Sequence, residues 1–238
     1  MVKKNKMLNI LSKKVVTLLP NSDIMASKTK WNDDYWLMLM QVYLSSPVGV
    51  KPLYSRRMVE LSLELHISPQ QLRQRMQQLA SLDTPRIERL MATYANKPNK
   101  LSRAVRLLRE MKGFGNADEF YSGVEVNETF ELDFRPLDQD SRLTPAALII
   151  ILDLYFKLTP ATMVAVTPEV IQTAKLLRIP PDEVAELLNI YIYCDPCLKR
   201  REMIFSPLMI PCMQIWQRYS NDVEQLDQMA KELTEYYK

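Results

Sequence analysis

Slid against itself by 112 residues, this chain superposes its segment 36–84 on 148–196 without a gap. Tyr43 falls on Tyr155, Leu65 on Leu177, Ile67 on Ile179, Pro69 on Pro181 and Asp83 on Asp195. Those identities alone weigh little, but the apolar pattern coincides as well. Leu39 pairs with Ile151, Val42 with Leu154, Met58 with Val170, Leu72 with Val184, Met76 with Leu188 and Leu79 with Tyr191. The pattern has helical spacing, so the repeat predicts two copies of one three-helix module. First helices are expected over 33–45 and 144–158, second helices over 56–65 and 168–177, and third helices over 69–82 and 181–193. Ser55 and Thr167 occupy matching positions before the second helices, where a side-chain oxygen can satisfy a free amide of the first turn.

Local signals support the helices. Ser68, Pro69 and Gln71 form a good helix start, with proline where no amide partner is needed and glutamine able to reach back to the cap. "NKLSRAVRLLREMKG" repeats its apolar residues with helical period and ends at Gly113, a fitting C-terminal stop. Between the modules, "FYSGVEVNETFELDF" alternates Val124, Val126, Phe130, Leu132 and Phe134 around a polar link, which predicts a β-hairpin within 119–134. The tail from Pro207 predicts one or two further helices, the last in "SNDVEQLDQMAKELTEYYK". The expected fold is therefore mainly α: two related three-helix modules, one hairpin between them, and C-terminal helices. Residues 1–30 read as a basic arm, 31–113 as a basic module, 114–141 as hairpin and linker, and 142–238 as an acidic helical module.

The net charge of +3 conceals a division between the halves. Residues 1–112 hold 20 Lys and Arg against 8 Asp and Glu, a net +12, whereas residues 113–238 hold 11 against 20, a net −9. Such asymmetry points to nucleic acid or an acidic partner, or to mutual attraction of the two halves.

Two helices joined by a tight turn make each module resemble the helix-turn-helix of DNA-binding regulators, over about twenty residues. That motif needs a small residue within the second helix and buried aliphatics around the turn. Ser62, Leu65, Ile67 and Leu72 meet the pattern in the first module, and Ala174, Leu177, Ile179 and Val184 in the second. The motif favours glycine in the turn, where His66 and Arg178 stand instead. With Leu72, Met76 and Leu79 facing the core, the outer face of the third helix carries Gln70, Arg73, Gln74 and Gln77. Arginine pairs with guanine and glutamine with adenine through two hydrogen bonds, so these four are the candidate base contacts. The candidate phosphate contacts are Lys51, Arg56, Arg57, Arg75, Arg86, Arg89, Lys100, Arg103, Arg106 and Arg109. The second module presents Asp182, Ala185, Glu186 and Asn189 at the matching positions, which would repel phosphates. Its third helix, continuing as "LLNIYIYCDP", is apolar on more than one side and is expected to be buried against the chain or a second subunit. Two winged-helix-like modules, one for DNA and one for association, resemble the layout of some plasmid replication initiators and two-domain regulators. The acidic hairpin makes a poor wing. The alternative reading is a protein-interaction or structural module that never meets nucleic acid.

Catalytic signatures are scarce. "CDPC" at Cys194–Cys197, with Cys212, is a weak metal or redox candidate, because a structural zinc site wants four ligands and the one histidine, His66, is distant in sequence. Cys194 also matches Leu82 in the repeat, and buried cysteine serves as a small hydrophobe. One histidine gives no nucleophile triad, and only 4 glycines against 15 prolines leave no glycine-rich phosphate or dinucleotide loop. No enzyme and no cofactor is expected. No apolar run reaches the roughly 18 residues needed to span a bilayer, and Lys13 and Lys14 interrupt the apolar start that a signal peptide requires. The chain reads as cytoplasmic, with residues 1–24 either a basic arm or sequence upstream of a start at Met25.

Overall fold

The computed structural model describes residues 31–111, 114, 129–198 and 206–238. The basic arm, the stop at Gly113 and the first arm of the expected hairpin lie outside these residues. Trp31–Lys238 cluster as one compact unit. Among the described residues there are eleven α-helices and no strand.

The first half contributes α1 (Tyr35–Leu44), α2 (Arg56–Leu65), α3 (Pro69–Ser81), α4 (Pro85–Tyr94) and α5 (Pro98–Glu110). After α6 (Thr129–Phe134) come α7 (Pro145–Lys157), α8 (Pro168–Leu177), α9 (Pro181–Cys194), α10 (Met209–Tyr219) and α11 (Val223–Tyr237). Helices α2 and α8 have the predicted bounds, and α3 and α9 begin at the matching prolines, Pro69 and Pro181. Proline at the first helical position loses no hydrogen bond there and presets the backbone angle. Each mutual contact among α1, α2 and α3 is repeated among α7, α8 and α9. The turn is repeated too: His66 (φ 52°) and Arg178 (φ 60°) both take the left-handed conformation. Without glycine, each costs about 1–2 kcal/mol. In the first turn the hydroxyl of Ser62, itself fully buried, donates to the Ile67 carbonyl.

Capping follows the sequence only in part. Ser68 accepts from the Gln71 amide (3.4 Å), Thr84 from Ile87 (3.3 Å), Thr144 from Ala147 (3.3 Å) and Asp222 from Gln225 (2.9 Å). Ser55 and Thr167 stand at their expected positions but do not cap with their side chains. Ser55 Oγ is buried without a partner, and Thr167 Oγ1 donates to the Thr162 carbonyl instead.

The hairpin expectation fails in its second arm, because Thr129–Phe134 is helical. Phe130 and Phe134 stand one turn apart on this helix, Leu132 is exposed, and Glu131 is buried. Long-range partners select the helix: Glu131 meets His66 Nδ1 at 3.0 Å, and Asp133 accepts two bonds from Arg218 at 2.7 and 3.1 Å. The Phe134 ring lies 5.9 Å from Tyr54 and 4.9 Å from Tyr236.

Two hydrophobic clusters form the core. One gathers Trp36, Met40, Met58, Leu72, Met76 and Leu79 with Ile87 of α4 and Leu101 and Val105 of α5. The other surrounds α7, whose residues Ala146 to Tyr155 are buried without a break. Helices α8 to α11 enclose it, which explains why its apolar residues form no stripe. Tyr54 and Val59 come from the first half but belong to this second cluster.

Candidate nucleic-acid interface

Along α3, Leu72, Met76 and Leu79 are fully buried against α1 and α2. Their spacing leaves Gln70, Arg73, Gln74 and Gln77 on the opposite face, and all four are exposed. Gln70 donates to the Tyr54 hydroxyl at 3.4 Å, so its amide turns toward the second cluster. Arg73, Gln74 and Gln77 have no side-chain hydrogen bond or ion pair among the described residues. Among the described residues, nothing from the acidic half bonds to Arg73, Gln74 or Gln77, and all three are exposed. The turn that aims the helix is held from outside by the His66–Glu131 contact. Sequence reading missed that role. Its one local signal was an acid, Glu131, between Phe130 and Leu132 with no cation next to it.

The ten cationic candidates separate into three groups. Lys51 is buried, and its ammonium donates to the carbonyls of Ser45 (2.7 Å) and Pro47. Burial, with Arg57 nearby, lowers its pKa, and it fixes a loop rather than offering a phosphate contact. Four arginines already have carboxylate partners. Arg56 pairs with Glu60 at 3.4 Å and Arg106 with Glu110 at 3.7 Å, while Arg86 meets Asp33. Arg109 grips Glu64 through two bonds of 2.6 and 2.9 Å. Five have no carboxylate partner among the described residues: Arg57, Arg75, Arg89, Lys100 and Arg103. Of these, Arg75 bonds Gln78 (3.1 Å) and lies 5.2 Å over the Trp31 ring. Arg89 donates to the Pro85 carbonyl at 3.1 Å, and Lys100 sits 5.2 Å over Tyr94.

The matching face of the second half differs in burial as well as charge. Asp182 and Glu186 are exposed, but Ala185 and Asn189 are half-buried, and Asn189 donates to the Ala185 carbonyl at 2.9 Å. Helix α10 packs against α9. The three cysteines are free: Cys212 is buried, Cys194 half-buried and Cys197 exposed. Burial pushes the Cys212 thiol up to about 12 and raises that of Cys194, opposing thiolate chemistry at both. Among the described residues no three His, Cys, Asp or Glu side chains converge as metal ligands, and no helix is long and apolar enough to cross a membrane.

Comparison with known proteins finds no matching family model, no matching curated protein and no matching solved structure.

Proposed function

We propose that the chain is a double-stranded DNA-binding protein of the cytoplasm, a transcription regulator or replication-initiator-like factor, that sets α3 into the major groove. Arg73, Gln74 and Gln77 read base edges, and cations without carboxylate partners, Arg57 foremost, contact phosphates. One observation carries the reading: an exposed stripe of arginine and glutamine, with no partners of its own, lies on a helix whose other face is locked into the core. The coincidence of α2 and α3 with α8 and α9 at the repeat offset supports two related helix-turn-helix-like modules, the first for DNA.

The test is selection of duplexes by the full-length chain from a randomised pool. Arg73→Ala and Gln74→Ala are expected to relax base preference at individual positions, each contact accounting for about 1–3 kcal/mol of discrimination. Arg57→Ala is expected to weaken all sequences alike. Duplex binding that ignores salt, or a preference unchanged by both α3 substitutions, overturns the reading. A second reading, contact with a protein or another copy through the second half, rests on Ile210 and Met213, which are 67% and 42% exposed on α10. Loss of a concentration-dependent increase in mass on Ile210→Asp would support it.

A further inference from the structure

A cavity of about 630 Å³ opens among α1, α2, the start of α5 and the loop after α1. Its volume falls within the range of small-molecule sites, roughly 300–1,000 Å³. The helices that close on the first helix of each half pack differently. In the second half α11 packs along α7 and touches α8, setting Asp227 on Lys157 at 2.7 Å and burying Leu226, Ala230 and Leu233. In the first half, α5 packs along α1 and reaches α2 through the Arg109–Glu64 pair, with the cavity between the three helices.

Met38, Val42, Leu61 and Leu101 supply apolar lining. Val48 adds an apolar rim and is 67% exposed. Its loop is held in place by the Lys51 ammonium and by a Gly49 amide bond to the Tyr43 carbonyl of 3.0 Å. An apolar group laid over this valine would remove its surface from water, a gain of about 25 cal/mol per Å². The four charges of the lining, Arg57 and Arg109 against Glu60 and Glu64, sum to zero, but they are not paired with one another throughout. Glu60 is matched by Arg56 and Glu64 by Arg109, which leaves the Arg57 guanidinium uncompensated. Gln41 and Ser102 meet across the wall by a long bond of 3.4 Å, easily exchanged for a ligand's polar group.

We propose that this cavity binds a small organic anion with an apolar body, a carboxylate or sulfonate, whose charged head pairs with Arg57 while its body lies beneath Val48. The site shares Arg57 with the proposed phosphate contacts, but its test contains no nucleic acid, so the two readings fail separately. The full-length chain is titrated calorimetrically with 2-naphthoate and, separately, with the neutral naphthalene-2-carboxamide. Saturable one-to-one binding is expected, with the carboxylate favoured by about tenfold or more, the worth of one charge-assisted hydrogen bond. Arg57→Ala should erase that preference. Ser102→Trp, at an exposed position on the cavity wall, should weaken both compounds by obstructing the space. Circular dichroism verifies folding, and Val48→Asp replaces Ser102→Trp if the latter unfolds. The proposal is overturned by the absence of saturable binding of 2-naphthoate, by equal affinity for the two compounds, or by a preference that survives Arg57→Ala.

Discussion

Salt dependence gives the proposed interface its sharpest quantitative test. Each phosphate neutralised by a lysine or arginine contributes about −0.9 to the slope of log affinity against log salt concentration. All ten cationic candidates together would contribute about −9, whereas the five without carboxylate partners would contribute about −4.5. Arg57 and Arg109 represent the two classes. Arg57 is exposed with no carboxylate partner among the described residues, so Arg57→Ala should reduce the steepness by about 0.9. Between 50 and 200 mM salt, wild type should therefore lose about 3.5-fold more affinity than this variant. Arg109 must first release Glu64, its two-bond partner. With side chains 47% and 34% exposed, that pair is worth about 0.5–1 kcal/mol, comparable to an exchanged phosphate contact. Arg109→Ala should thus move the slope by only a few tenths. Fluorescence anisotropy of the full-length proteins on one labelled duplex measures all three slopes, and charges outside the comparison cancel. Equal slope changes in the two variants, or none for Arg57→Ala, would refute the division of cations.

Other substitutions examine the scaffold and its titrating groups. Glu131→Ala removes the buried carboxylate that meets His66 Nδ1 and should lower urea stability by about 1–3 kcal/mol; a loss under about 0.5 kcal/mol would deny the contact any role in holding the turn. A chromogenic disulfide reagent at pH 8 should modify exposed Cys197 rapidly, and Cys212, whose thiol is pushed up to about 12, only on unfolding; equal rates in single-cysteine variants would contradict this burial. Burial raises the Asp153 carboxyl against the opposing pull of Lys157, and one of its oxygens is buried without a partner. The folded chain therefore holds that proton more tightly than the unfolded chain, so this stabilisation is present at low pH and lost as pH rises from the unfolded value of about 3.9 through the raised one. Asp153→Asn, always neutral, should gain stability relative to wild type across that rise, as denaturation midpoints at pH 3 and pH 7 will show; an unchanged difference would sink the assignment.

Much of the helical framework was legible because its signals are local. Pro69 and Pro181 mark helix starts wherever they occur, and Leu72, Met76 and Leu79 declare one face without help from distant residues. The outer stripe of α3 followed from the same periodicity. Helix α4 has an ordinary local start in Thr84 and Pro85, but it lies beyond the repeat from which the modules were expected. The supposed second hairpin arm failed for a different reason. Five residues that alternate also fit one and a half helical turns, and the choice was made by His66 and Arg218, 65 and 85 positions away in sequence. Lys51 looked like any basic loop residue; only the fold brings two carbonyls to its ammonium. The cavity had no sequence signature, since it depends on how closely α5 approaches α2.

Tyr54 and Val59 leave their own half to join the other half's core. Severing the chain in the linker would strip both of cover and expose an oily scar on each fragment. Thermal or chemical denaturation should therefore proceed in one concerted step, and a dissected first half would make a poor surrogate for the whole protein.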